Sequence, residues 1–368
     1  MTRLGVDGRE LREGVRTGIG RYLLEVLRAA SARGFTAILY GDARTRLPRT
    51  LPGVSLSVLP ARGTRWWDQV TLPLALGRDR VDVFLSPYYK CPLLAPCPSV
   101  LTIHDLFFIG YPGTRRPFRD AVTTRLARAY ARRASAIIAD SAYSRRAIVE
   151  RLRVSAAKVH VIPVALGPEF KPEPLTDAVR RRYGIGRPYV LYVGNFRPHK
   201  NLPRLLRAYA ALPASLGSAH DLVLAGGDRE RSGGLEALAR DLGVAARVVF
   251  PGSIEDADLP ALYSGATLFV LPSLEEGFGL PALEAMACGA PVVAGDRAAL
   301  PEVVGDAALL VDPESEAALR DAMATALSDE TLRESLRRRA RVRAGEFPAE
   351  RTAGRVLDLL GEVSAGSA

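Results

Sequence analysis

Residues 266–288 read ATLFVLPSLEEGFGLPALEAMAC, and this stretch decides the architecture. Ala266–Leu271 is an uninterrupted apolar run, the pattern of a strand covered on both faces. A loop containing Gly277 and Gly279 follows, and both glycines let backbone amides approach a ligand closely. Pro281 then marks the first turn of a helix opening at about Leu280, where its missing N–H costs nothing. Such a helix start has free amides and a partial positive charge, suited to an anionic or hydroxyl-rich ligand. Glu276 falls in the loop and Glu284 about one turn inside the helix, so the two carboxylates reach different parts of one extended ligand. An isolated pair of this kind reads as a buried loop acid and a surface glutamate. The strand–loop–helix setting favours the ligand-binding reading.

Outward from this unit, short apolar runs alternate with helical patterns over nearly the whole chain, which indicates parallel α/β architecture. Strands are expected near 3–7, 36–40, 54–59, 81–85, 99–103, 135–139 and 158–162, with helices around 19–33, 117–133 and 142–152. The segment VIPVALGPEFKPEP (161–174) holds four prolines and breaks both periodicities. The alternation then restarts, with strands at 188–193, 221–225, 247–250, 267–271, 291–294 and 308–311. Helices are expected at roughly 201–212, 233–242, 256–264, 280–288 and 315–327. The fold class is therefore α/β, with two Rossmann-like domains at 1–168 and 169–348. Charged amphipathic helices close the chain at about 330–345 and 349–365, the last expected to pack back on the first domain. Ligands of open parallel sheets bind beyond the carboxyl ends of the strands. Two such sheets face to face would place them in a central cleft.

Other candidate residues fall at expected strand ends. The strand PYVLYV runs into Gly194-Asn195-Phe196-Arg197-Pro198-His199-Lys200-Asn201. A planar guanidinium and a flexible ammonium beside a glycine turn are natural diphosphate ligands. A solvated basic turn is the plainer alternative. Gly18-Ile19-Gly20 begins a helix after the first strand, a pattern that alone fits any tight turn. His104 ends the strand SVLTI. A lone histidine is more often structural than functional, but this end of a strand is where a ligand-facing residue belongs.

The segment Glu276-x7-Glu284, with GFGLP inside it and AMACGAPVVA after it, resembles the donor site of family 4 retaining glycosyltransferases of the GT-B fold. The resemblance extends across nearly the whole chain. It implies that Glu284 holds ribose hydroxyls and that Glu276 lies near the transferred sugar. The amides of Phe278, Gly279 and Leu280 would contact sugar hydroxyls and phosphate. The 194–201 segment is similar to the family's Arg…Lys-Asn signature, so Arg197 and Lys200 would neutralise the leaving diphosphate. Gly18, Ile19 and Gly20 resemble the glycine-rich loop facing that diphosphate. Ser253–Ile254 resembles the loop whose backbone reads the nucleobase, with Ile254 in the donor site. His104 takes the place of a histidine that contacts the donor sugar, with Asp105 holding its ring or a nearby loop. Ser141 resembles a cleft-lining residue.

VDGRELREGVRTGIGRY (6–22) particularly resembles bacterial mannosyltransferases, which favours GDP-mannose as donor. The expected reaction moves a hexose from a nucleoside-diphosphate sugar to a hydroxyl of a glycan or lipid-linked acceptor, in cell-surface or lipid-linked glycan synthesis. The family course is front-face attack with retention, and a double displacement through Glu276 stays open. No cofactor and no metal are expected. Asp256-Ala257-Asp258 has the form of a metal-binding DxD but reads as the acidic first turn of a helix. The four histidines have no ligand spacing.

Composition bounds the setting. A hydrophobic share of 48% with 24% charged residues supports a large core. No apolar run approaches the ~18–20 residues that cross a bilayer. The first residues, MTRLGVDGRE, lack a signal-peptide core. Cys91, Cys97 and Cys288 read as buried thiols of a reducing compartment, so the cytoplasm is the expected location. Residues 1–168 carry 27 basic against 12 acidic side chains, while the remainder carries 23 against 28. The basic half could face an anionic membrane surface, nucleic acid or a phosphorylated acceptor, or reflect an arginine-rich genome. Residues 115–133 hold seven arginines, with Phe118, Val122, Leu126 and Tyr130 at helical spacing, so a peripheral membrane helix and an ordinary packed helix both remain open. Nucleic acid is disfavoured, since the basic residues form no recognisable motif. A GT-B epimerase or phosphorylase is opposed by EGFGLPALE and by the lack of a pyridoxal lysine. A dehydrogenase is opposed by the absence of GxGxxG after a strand.

Overall fold

The computed structural model describes residues 1–12, 17–47, 51–60, 63–109, 117–227 and 229–366. The chain divides into two units, Met1–Ala165 with Pro348–Ala368, and Leu166–Phe347.

In the first unit the strands are β1 (Thr2–Asp7), β2 (Phe35–Gly41), β3 (Val54–Val58), β4 (Val83–Ser86), β5 (Ser99–Ile103), β6 (Ala136–Ala139) and β7 (Val159–Val161). They form one parallel sheet in the order β3-β2-β1-β4-β5-β6-β7. Parallel strands need crossover helices, and these cover both faces. On one face Leu23 and Leu27 of the helix Gly18–Ala30 pack with Leu4, Val6 and Leu85. Val356, Leu357 and Leu360 of the final helix, Ala349–Ala365, complete that core. This helix is also tied polarly: the Thr352 hydroxyl donates to Pro163 O (3.0 Å), and Arg355 donates to Val161 O (2.7 Å). On the other face Trp67, Leu76, Ala131 and Ile148 pack with Phe84 and Leu101.

The second unit carries β8 (Tyr189–Val193), β9 (Asp221–Ala225), β10 (Val248–Gly252), β11 (Leu268–Leu271), β12 (Val292–Gly295) and β13 (Leu309–Val311), parallel in the order β10-β9-β8-β11-β12-β13. Both sheets reverse winding direction once, between β1 and β4 and between β8 and β11. The diverging crossovers leave a crevice at the carboxyl end of those strands. Helix starts are closed by side-chain caps: Thr17 accepts from Gly20 N (3.0 Å), and Ser141 accepts from Ser144 N (3.0 Å).

Two features depart from the sequence reading. Residues 64–78 are helical, as Thr64–Trp66, a π turn Trp67–Thr71 and Leu72–Arg78. The π turn breaks the 3.6-residue period that would have revealed them, and it buries Trp67 and Asp68 together. Asp256 and Asp258 do not form a first helical turn. The helix starts at Leu259, and Asp258 instead accepts from Arg182 (2.6 Å) and the Tyr183 hydroxyl (2.8 Å). The basic helix is Pro117–Arg133, while Arg115 and Arg116 lie outside the described residues. Among the described residues, no helix is long and apolar enough to cross a membrane.

Leu360 is fully buried against the first sheet. Leu360→Ala should destabilise that unit by about 2–5 kcal/mol through lost burial and the cavity left behind. Hydrogen exchange should show protection falling in β1, β2 and β4 while β8–β13 keep theirs. Equal loss in both sheets would contradict separate cores.

Candidate active site

The site in the second unit is assembled by loops that leave neighbouring strands. After β8 the chain passes Gly194 and a short 3-10 turn, Pro198–Lys200, to Asn201 in a left-handed conformation (φ 60°). The Asn201 amide donates to Pro272 O (3.1 Å) and Pro313 O (2.6 Å), fixing this loop to those after β11 and β13. Leu274 N donates to His199 O (2.8 Å), a second tie. Gly226 allows the loop after β9 to close against them, since a Cβ there would lie 2.1 Å from Gly194 O. The loops after β8, β11 and β13 are thus tied to one another through backbone carbonyls.

This lacing puts Lys200 Nζ 2.6 Å from Glu276 Oε1, and both side chains are 8% exposed. The Ser273 hydroxyl donates to the same oxygen at 2.7 Å. Lys200 was expected to serve the diphosphate directly. Within the chain its partner is the glutamate expected beside the sugar. Burying two charges costs several kcal/mol per ion, and the pair recovers this only with good geometry and further hydrogen bonds. Ser273 supplies one. The Glu276 charge and, foremost, burial push the Tyr192 hydroxyl well above the usual phenol range, and that hydroxyl donates to Asn195 O (2.6 Å). Arg197 is exposed, with its backbone N–H on Asn195 Oδ1 (3.3 Å).

Beyond Glu276, Gly279 adopts φ +101° and opens the helix Leu280–Ala287, with Pro281 in its first turn. A Cβ at Gly279 would enter strained left-handed backbone and meet Leu300 at 2.5 Å. Phe278 is buried, with its ring edge-on to Phe347 (5.7 Å), so the side chain serves the core. Leu280 and Ile254 are half-buried, and Ser253 is exposed. Glu284 is buried, and its Oε2 accepts from the Tyr263 hydroxyl at 2.9 Å. Tyr263 and Ser273 were not singled out from the sequence. Tyr263 lay in a helix pattern that accounted for it as packing, and Ser273 carried no signal beyond its place after β11.

In the first unit, Gly18, Ile19 and Gly20 form the start of the helix capped by Thr17. The Thr17 hydroxyl donates to Glu10 Oε1 (2.6 Å), and the Tyr88 hydroxyl donates to Glu10 Oε2 (2.7 Å). Beside them Arg9 bridges Asp7 and Asp68 (both 2.6 Å), and Lys90 binds Asp68 (2.8 Å). The Arg9 guanidinium lies 3.7 Å over the Trp67 ring, so the four charges form a neutral, packed cluster. His104 follows β5. Its Nδ1 lies 2.7 Å from Asp140 Oδ2, and Tyr22 meets the ring edge-on at 5.6 Å. Asp105 Oδ1 accepts from Phe107 N (2.9 Å), which turns the loop, and Ser141 serves as a helix cap.

Among the described residues, no group of three or more His, Cys, Asp or Glu is arranged to hold a metal. The three cysteines are free and buried. Burial pushes Cys97 up to about 11 and Cys91 and Cys288 up to about 12, which leaves them protonated and poorly nucleophilic.

Both halves of the chain resemble known proteins. Residues 16–170 match the model of Glycosyltransferase Family 4, and residues 176–343 match that of Glycosyl transferases group 1. The O-antigen chain mannosyltransferase B of Escherichia coli is 31% identical over 255 residues, covering 68% of this chain and 67% of that protein. The serotype-specific mannosyltransferase WbdA of Escherichia coli is 32% identical over 271 residues, 70% of this chain. Because that alignment covers 32% of WbdA, the chain matches about a third of its length. The sucrose-phosphate synthase of Thermosynechococcus elongatus superposes with a TM-score of 0.83 at 22% identity, over 100% of both chains, which shows the shared fold. The chain therefore belongs to glycosyltransferase family 4 and has the GT-B fold.

Proposed function

We propose that the protein is a retaining, metal-independent glycosyltransferase that moves a hexose from a nucleoside-diphosphate sugar to a hydroxyl acceptor. The observation that carries this reading is the buried Lys200–Glu276 pair, braced by Ser273 and set beside the Gly279 helix start. A fold gains little from such a pair that packed apolar side chains would not supply. A donor that loses a diphosphate needs both charges. The cation answers negative charge growing on phosphate, and the carboxylate answers positive charge growing on the sugar ring. Preorganised charge of this kind is a large part of catalysis by electrostatic stabilisation. Exposed Arg197 adds a second cation, and the amides at Phe278–Leu280 add neutral donors. The acceptor hydroxyl attacks from the face the diphosphate leaves, and a donor phosphate oxygen takes its proton.

The mannosyltransferase relatives support GDP-mannose as donor, as does the 6–22 segment. The O-antigen relative supports a cell-surface or lipid-linked glycan as acceptor. The excess of basic residues in the first half, with Arg125, Leu126 and Arg132 exposed on one helix, supports a place on the cytoplasmic face of an anionic membrane.

The direct test incubates the protein with GDP-mannose and other nucleoside-diphosphate sugars, in EDTA, and follows release of nucleoside diphosphate with the anomeric configuration of the product. Turnover should persist under chelation with retention at the anomeric carbon. Inversion, or loss of turnover restored only by magnesium or manganese, would refute the corresponding part of the reading.

The two cations should separate. Arg197→Ala should lower turnover by at least ~10²-fold with unchanged thermal stability, since a transition-state charge donor is worth ~2.7–4 kcal/mol. Lys200→Ala should lower turnover similarly and also destabilise the protein by about 3–5 kcal/mol, because Glu276 is left buried without its counter-ion. Matching stability losses in both variants would contradict this assignment.

The two glutamates should separate as well. Glu284, braced by Tyr263, is assigned to ribose hydroxyls that bind equally in ground and transition states, so Glu284→Ala should chiefly raise donor KM. Glu276→Ala should chiefly lower kcat. Nucleoside diphosphate alone should bind the Glu284 variant more weakly and the Glu276 variant almost normally. Equal losses of that affinity would remove the division of labour.

A further inference from the structure

We infer that Asp140 is the positioning residue for His104, holding the imidazole so that its Nε2 edge is committed to an oxygen atom of the substrate. The inference rests on the glycosyl-transfer reading above for the identity of that substrate, and on geometry alone for the pair. β5 and β6 are neighbours in the first sheet, and the register pairs Ile103 with Ala139. One residue further along, the parallel ladder brings His104 and Asp140 side by side. Asp140 is buried, and its backbone is fixed because the next residue, Ser141, caps the helix Ala142–Leu152. The carboxylate lies 2.7 Å from Nδ1. A carboxylate can only accept, so Nδ1 carries the proton. Tyr22 grips the ring edge-on with its planes at 83°, and its own hydroxyl is taken by Thr102 at 3.0 Å. Asp140 and Tyr22 together leave the ring one polar atom to offer.

That atom, Nε2, is buried and has no hydrogen-bond partner among the described residues. A buried polar nitrogen left unmatched costs about 1–3 kcal/mol. A ring held on one edge and unmatched on the other is arranged to meet a ligand atom. The surrounding charges fix which hydrogen-bonding role Nε2 plays. Burial disfavours the charged ring, but Asp140 first, then Asp105 and Glu10, outweigh it and raise the His104 pKa above its ordinary value. Among the described residues, the ring thus lies against Asp140 and the phenol of Tyr22, whose own pKa is raised chiefly by burial, and also feels the charges of Asp105 and Glu10. The imidazolium persists further toward neutral pH, and its Nε2–H is a charge-assisted donor. As pH rises through the raised pKa, that donor is lost and transfer should slow. Without the Asp140 charge the ring should deprotonate at lower pH, moving the alkaline limb of the rate profile the same way.

The test combines a titration that needs no substrate with one that does. In 15N-labelled protein, with the His104 signals assigned by their loss in His104→Gln, the ring of the parent should titrate above the ordinary histidine range. In Asp140→Asn its midpoint should fall by one pH unit or more, and in Asp140→Glu it should largely return. An unshifted midpoint in Asp140→Asn overturns the pairing. With a nucleoside-diphosphate sugar and acceptor, Asp140→Asn should lower kcat at least tenfold, keep donor KM within threefold, and shift the alkaline limb of kcat to lower pH. A variant whose limb does not move, or whose loss lies in KM alone, shows a carboxylate that only supports the fold and overturns the positioning role. Failure of the parent itself to transfer sugar would reject the glycosyl-transfer reading while the substrate-free titration still decides the pair.

Discussion

A parallel sheet covered on both faces has no room for polar chemistry along its strands. The central strands β4, β5 and β6 of the first unit and β9, β11 and β12 of the second are buried along their whole length. Polar groups must therefore collect beyond the strand ends, and the best-formed crevice lies where the winding reverses. Asp7 follows this rule at the end of β1, and Lys200 and Glu276 follow it in the loops after β8 and β11. The remaining features answer the same constraint: glycines where loops must touch, asparagine and serine where they must be laced, and a proline where a helix must begin.

Loops alone position side chains loosely, and the second unit corrects for this by hydrogen-bonding loop to loop. Asn201 spans two other loops with one amide group. The consequence is a buried Lys–Glu pair whose geometry is fixed by the protein itself. The first unit uses a different device. There a carboxylate at one strand end orients an imidazole at the next, with the sheet register setting their separation.

Much of the architecture was legible because buried parallel strands are written as short apolar runs, such as YVLYV and LFVL. All thirteen described strands fall within two or three residues of the runs that predict them. The loops that carry candidate ligands were legible for the same reason, since they begin where those runs stop. Partnerships were not. Lys200 and Glu276 are 76 residues apart in sequence, and only the strand order β8-β11 makes them neighbours. Asp140 directly follows the expected strand 135–139, and only the register places it beside His104. The helical segment at 64–78 escaped because a π turn breaks its period. The acidic pair at 256–258 suggested a helix start, but the partners of Asp258, Arg182 and Tyr183, lie some 75 residues earlier.

The route of the chain has a consequence for synthesis. In chain order the second unit is an insertion within the first: the chain enters at Leu166 and leaves at Phe347, and Leu166 N donates to Phe347 O at 3.2 Å. That closure lets residues 166–347 complete their core as one continuous segment. The first sheet has no such independence. Leu23, Val26 and Leu27 need Val356, Leu357 and Leu360, which leave the ribosome only after the whole second unit has been made. Until then the nascent first unit displays an uncovered apolar face, the kind of surface that aggregates or recruits chaperones. The half that is begun first is finished last.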